Sequence, residues 1–151
     1  SATGNAAMGS NEAEEYYNQK IFRARSEKFI ASNKKRSGVA SLRSGVQYKI
    51  ETMGKGPKAV HGDTVACIYK GMYPNGAVFA TSRGQVAGLA VDEVVPGLAE
   101  VFMTLPAGTR CMAYIPWQHA YGAKGTSSIA PYSALVYDLE IVEVKKGLQG
   151  K

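Results

Sequence analysis

At Val46 the spacing of apolar residues switches from helical to alternating, which divides the chain into a helical front and a β-rich remainder. Val46, Tyr48 and Ile50 alternate with polar residues, the period of a half-buried strand. Met53-Gly-Lys-Gly-Pro57 then reads as a turn, Thr64–Tyr69 as a strand, and Pro74-Asn-Gly76 as a hairpin turn before Ala77–Phe79. One segment interrupts the β pattern. Leu98, Val101, Phe102 and Leu105 lie at i, i+3, i+4 and i+7, which predicts a short amphipathic helix over Pro96–Leu105, ended by Pro106-Ala-Gly108. Arg110–Ile115 and Ser133–Val144 read as the last two strands, the final one alternating Leu135, Tyr137, Leu139 and Ile141. Five or six antiparallel strands and one short helix make an α+β domain. A short helix buried against one sheet face leaves a cavity at one end or fills it with side chains.

A length of 151 residues allows one real core and not two. Hydrophobic and charged fractions of 45% and 20% fit a globular domain. No apolar run approaches the roughly 20 residues of a membrane helix, so no span is expected, and no signal peptide is read. Cys67 and Cys111 fall in strand-like runs without metal-ligand spacing, so buried thiols are expected, with no metal and no cofactor. These features do not point to a compartment.

At the front, Ser1–Ser10 is small and polar and reads as a disordered tail. Asn11 as N-cap with Glu14 three residues on predicts a helix over residues 11–37, stopped by Gly38. Its apolar residues Tyr17, Ile21, Phe22 and Phe29 share one broad face, with Tyr16 and Ile30 outside it, a pattern suited to docking on a domain edge. Residues 1–44 hold eight Lys/Arg against four Glu, +4 of the chain's net +6. Glutamates lead the helix and Lys34, Lys35 and Arg36 close it, the order its dipole favours. A solvated helix is therefore preferred to a nucleic-acid or membrane arm, and no nucleic-acid partner is expected. Residues 146–151 read as a C-terminal tail.

The last third carries the sharpest motifs: Ile115-Pro-Trp-Gln-His-Ala-Tyr-Gly122, then Ile129-Ala-Pro-Tyr-Ser-Ala-Leu-Val-Tyr-Asp-Leu-Glu140. Together with Ser44-Gly-Val-Gln-Tyr48, Tyr69-Lys-Gly71, Asn75-Gly-Ala-Val-Phe79 and Val94-Val-Pro-Gly97, in that order, they resemble the FKBP family of peptidyl-prolyl cis/trans isomerases. A charged helix before a Ser-Gly-Val-Gln-Tyr strand is similar to the family's Mip-like branch. The resemblance covers roughly residues 44–145. It implies an FKBP-like curved antiparallel sheet wrapped around one short helix, preceded by a helical extension over residues 11–37.

The family's chemistry needs no nucleophile and no metal. A prolyl amide rotates over a barrier of about 18–20 kcal/mol set by C–N double-bond character. The twisted transition state has lost resonance and part of its dipole, so an apolar pocket binds it better than the planar, solvated ground state. Carried onto this chain, the resemblance makes Tyr69, Phe79, Val95 and Tyr121 the catalytic residues. Leu89, Val94, Leu98, Ile129 and Tyr137 would bind substrate. Tyr121 would offer its hydroxyl, and the backbone N–H near Val95 its proton, to substrate carbonyls.

Four positions depart from the family pattern. Ala80 stands where an Asp follows the Phe, Leu98 where a Trp forms the floor, Leu89 where a wall aromatic sits, and Tyr137 where the last strand has Phe. The expected function is isomerisation of Xaa-Pro bonds in proline-containing polypeptides, assisting their folding, with reduced activity and weak macrolide binding. The alternative is a non-catalytic peptide-binding or chaperone module of the same fold. The helix over 11–37 is also a candidate arm for dimerisation or docking. His119 lacks a Ser, Cys or carboxylate constellation and reads as a loop histidine, and Trp117 as a residue packed on the neighbouring loop.

Overall fold

Thr64–Met72 and Leu135–Lys145 pair antiparallel from Thr64 opposite Lys145 to Met72 opposite Val136, the longest ladder in the protein. A computed structural model describes residues 9–148. In chain order it contains α1 (Ser10–Asn33), β1 (Val39–Ser41), β2 (Gln47–Thr52), β3 (Thr64–Met72), β4 (Val78–Thr81), β5 (Ala87–Ala90) and α2 (Pro96–Thr104). After these come β6 (Arg110–Ile115), a 3-10 turn (Trp117–His119) and β7 (Leu135–Lys145). The expected tails fall mostly on residues 1–8 and 149–151, outside the described residues.

The strands form one antiparallel sheet in the order β1-β2-β6-β7-β3-β4, with β5 also paired to β3. The free edge of β3 is shared: Lys70–Met72 pair with β4 and Thr64–Cys67 with β5. The turn between them holds Arg83 at φ 55 and Gly84 at φ 76. Seven strands exceed the five or six that alternation reveals. The three residues of β1 and the Ala-Gly-Leu-Ala of β5 are too short to show a period.

Helix α2 lies on the sheet as its spacing predicts. Leu98, Val101 and Phe102, with Leu105 just past its end, are buried in one cluster with Val65, Cys67, Ala113, Ile115, Leu135 and Leu139. Each such side chain contributes about 1.5–3 kcal/mol relative to exposure. Pro96 occupies the first turn, where its missing N–H costs nothing. Gly97 is needed for the approach: a Cβ there would press on the Ile115 side chain and lie 3.0 Å from the His119 carbonyl oxygen. The helix therefore starts hard against the end of β6.

Helix α1 differs from its sequence pattern in three respects. It begins at Ser10 with Gly9 as N-cap and no side-chain cap, so Asn11 lies inside the first turn. It ends at Asn33, four residues before Ser37, and the chain turns until Gly38 at φ 82. Lys34, Lys35 and Arg36 thus lie beyond the helix and not in its last turn. The docking face also differs. Ser26, Phe29, Ile30 and Asn33 meet the domain, while Tyr17, Ile21 and Phe22 are exposed. Two of the four contact positions are polar, which hides the face from a hydrophobic pattern. Asn33 Nδ2 donates to Gln47 Oε1 at 2.7 Å and Gln47 Nε2 to the Ile30 carbonyl at 2.9 Å, both side chains fully buried.

Candidate active site

Register and side-chain alternation bring aromatic residues from three strands to one end of α2. Tyr69 on β3 stands opposite Leu139, and Gly71 opposite Tyr137 on β7. Gly71 makes room for two rings. A Cβ there would lie 2.7 Å from Phe79 Cζ and 3.0 Å from Tyr137 Cε1. Phe79 on β4 reaches across this gap and meets Tyr137 edge-on, ring centroids 5.9 Å apart, and Tyr73 at 5.4 Å on its other side. Leu89 comes from β5, opposite Val65. Val94, Val95 and Leu98 come from the start of α2, and Tyr121 and Ile129 from the loop joining β6 to β7.

All nine side chains named from the sequence line one cleft of about 390 Å³. That lies within the roughly 300–1,000 Å³ of small-ligand sites. Leu98 and Ile129 are buried at its base, Tyr69, Phe79, Leu89, Val94 and Val95 are half-buried, and Tyr121 is exposed at its lip. Ala80, named above as an altered position, also lines it, and Glu93, Thr126 and Ser128 complete the lining, three residues that the sequence reading did not name. Thr126 has a positioning part: its Oγ1 accepts the backbone N–H of Ser128 at 3.1 Å and of Ile129 at 2.9 Å. The Thr-Ser-Ser run before Ile129 is the sequence signal for such a turn. The signal for Gly71 is a glycine in mid-strand, a mark of close approach.

Four polar groups of the cleft residues are left open. The hydroxyls of Tyr69, Tyr121 and Tyr137 bond to no protein group among the described residues. Nor does the Val95 N–H, which sits one residue before Pro96. Burial pushes the Tyr137 phenol well above the usual tyrosine range, with the phenols of Tyr121 and Tyr69 adding to it, so it stays a neutral donor. Arg83 and the missing carboxylate leave no ion pair at the rim: Arg83 makes none among the described residues.

Other candidate chemistry lies elsewhere. Cys67 and Cys111 are buried free thiols, pushed up to about 12 by desolvation, and are not thiolates at neutral pH. His119 Nε2 lies 3.0 Å from the Ser44 carbonyl oxygen, so that nitrogen carries the proton. Trp117 packs edge-on against Tyr132, centroids 4.8 Å apart, away from the cleft lining.

Comparison with known proteins shows the family. Residues 55–142 match the model of the FKBP-type peptidyl-prolyl cis-trans isomerase, and residues 2–50 that of the domain amino-terminal to it. The chain belongs to the FKBP family. It is 36% identical over 122 residues to the FKBP-type isomerase FkpA of Aeromonas hydrophila, covering 80% of this chain and 46% of that protein. It is 34% identical over 127 residues to the outer membrane protein MIP of Legionella longbeachae, covering 82% and 54%. This FKBP chain spans about half the length of the curated relatives it matches. Among solved structures, a peptidyl-prolyl isomerase of Pseudomonas syringae superposes with TM-score 0.79 at 30% identity, covering 84% of this chain and 96% of that one. FkpA of Escherichia coli gives 0.83 at 31%, covering 89% and 64%. Within this FKBP domain the altered positions Ala80, Leu89 and Leu98 all face the cleft.

Proposed function

We propose that this protein is a peptidyl-prolyl cis/trans isomerase acting on Xaa-Pro bonds of flexible polypeptides. The observation that carries the reading is an apolar cleft in which three tyrosine hydroxyls and the Val95 N–H have no partner among the described residues. Such a site suits a twisted prolyl amide. The proline ring enters between Phe79, Tyr137 and Leu98, where water is displaced and the planar amide loses solvation it needs more than the twisted one does. Tyr121 at the lip and the Val95 N–H hold the flanking carbonyls. Tyr137, from deeper in the cleft, adds a hydroxyl where the family pattern has none, beside the Ala80 that lacks a carboxylate.

Activity is reduced by Ala80, Leu89 and Leu98, because a smaller floor and wall grip the ring less tightly. Each lost ring contact weakens a ligand by about 1–3 kcal/mol. Macrolide binding is weak for the same reason. A protease-coupled assay on short Xaa-Pro peptides tests the proposal. Acceleration that falls in Phe79→Ala and Tyr121→Phe is expected, and Leu98→Trp with Ala80→Asp should raise the rate. Peptide binding without acceleration would replace the enzyme by the binding module.

A further inference from the structure

The loop from Pro116 to Ala134 supplies Tyr121 and Ile129 to the cleft, and helix α1 grips that loop at several points. The Ser26 hydroxyl is the central one. It donates to the Tyr132 carbonyl at 2.5 Å and accepts the Ala134 N–H at 3.2 Å, so one side chain satisfies both ends of the return arm. The next residue, Glu27, accepts the Trp117 indole N–H at 3.0 Å and the Arg23 guanidinium at 3.2 Å. Arg23 in turn lies over the rings of Trp117 and Tyr132, 5.2 and 5.4 Å from their centroids.

The grip reaches the cleft in two steps. Tyr132 N–H donates to the Gly122 carbonyl at 3.0 Å, and Gly122 N–H to the Trp117 carbonyl at 3.1 Å. Tyr121 is therefore fixed between two residues that α1 holds. Tyr132 also has φ 59, left-handed backbone that is strained for a non-glycine residue. Such a conformation persists only where its surroundings enforce it. Ser26, bonded on either side of Ser133, contributes to it from α1, beside the Gly122 carbonyl and the Ser133 hydroxyl bond to the Ala130 carbonyl within the loop.

We propose that α1 positions one wall of the prolyl cleft, with Ser26 the main positioning residue and Glu27 and Arg23 its support. Its kinetic consequence rests on the isomerase reading; its structural consequence does not. Hydrogen-bonded chains with a definite arrangement are the kind of link that carries such coupling, and a double-mutant cycle measures it.

The experiment uses the full chain with Ser26→Ala, Ser26→Thr and Glu27→Ala. Ser26 borders two clefts, and threonine keeps its hydroxyl. Amide hydrogen exchange at Ile129, Tyr132 and Ala134 should speed about tenfold in Ser26→Ala, the loss of one or two hydrogen bonds, with β3 and β7 unchanged. kcat/KM on an Xaa-Pro peptide should fall by a similar factor, Ser26→Thr should restore both, and Ser26→Ala should add little to Tyr121→Phe. Wild-type loop exchange in both alanine variants overturns the proposal. So does a loosened loop with undiminished kcat/KM. Should the wild type not isomerise, the function proposed above fails alone, and peptide affinity by NMR titration takes the place of kcat/KM. A wild type that neither isomerises nor binds overturns both.

Discussion

The prolyl cleft and the seam between α1 and the domain use hydrogen-bonding groups in opposite ways. In the cleft, three phenols and the Val95 N–H have no partner among the described residues, set among apolar walls. In the seam, Ser26, Asn33 and Gln47 are all buried and each makes at least one hydrogen bond. A satisfied buried network specifies geometry and adds stability, whereas hydroxyls left to solvent in a cleft keep their capacity for a ligand. The same chain thus builds a rigid polar joint and an unsaturated apolar site side by side. Substitutions should separate the two: activity without stability in the cleft, stability first in the seam.

The sharpest separation is expected at Gly71. Gly71→Ala must push Phe79 or Tyr137 aside, since its Cβ would sit 2.7 Å from Phe79 Cζ. kcat/KM should fall about 100-fold, the effect of a displacement near 1 Å, read in the coupled isomerase assay. Unchanged activity would remove the Phe79–Tyr137 pair from the mechanism. Next comes Asn33→Leu, which leaves Gln47 Oε1 without its donor in a buried position. Stability should drop about 1–3 kcal/mol, seen as a lower urea midpoint at constant slope, with kcat/KM little altered. An equal loss of activity would show that the whole seam, not only the Ser26 part, controls the cleft.

Tyr137→Phe should cost less than about tenfold in kcat/KM, the scale of one hydrogen bond, and leave the melting temperature unchanged or raised. A fall in melting temperature would mean that the hydroxyl serves the fold. The smallest effect is in the pH response of the seam. The Trp117 indole hydrogen bond holds the Glu27 carboxyl below its usual range, opposed by partial burial and helped by Arg23. A folded value below the unfolded one gives stability that is present above about pH 4.3 and lost as pH falls through the lowered value. Trp117, the protein's one tryptophan, should change its fluorescence in that acid window, and Glu27→Gln should abolish the step.

The strands and α2 were legible because burial imposed a period on them. Arg110–Ile115 has the same bounds in sequence and structure, and the face of α2 was read from four spaced residues. The cleft residues were named through a resemblance carried by six short motifs, and the structure sets them around one cavity. Gly71 and Thr126 were missed because each acts through space it leaves or a turn it bends, and neither has a periodic signature. Helix α1 misled most. Of its expected face Phe29 packs on Tyr114, but Tyr17, Ile21 and Phe22 stay exposed, and Ser26, Ile30 and Asn33 complete the contact instead.

From sequence alone came the α+β class, the short buried helix, the family and the identity of the cleft side chains. These follow from local rules: solvent exclusion gives apolar residues a period, and turns demand particular residue types. Tertiary structure alone decided which way α1 docks, that Trp117 lies on the helix and not beneath the prolyl cleft, and that Ser26 ties α1 to the loop bearing Tyr121. Those outcomes depend on polar groups meeting partners 90 to 108 residues away in the chain. A hydrogen bond is directional and pairwise, so a sequence shows its donors and acceptors without showing which of them will meet.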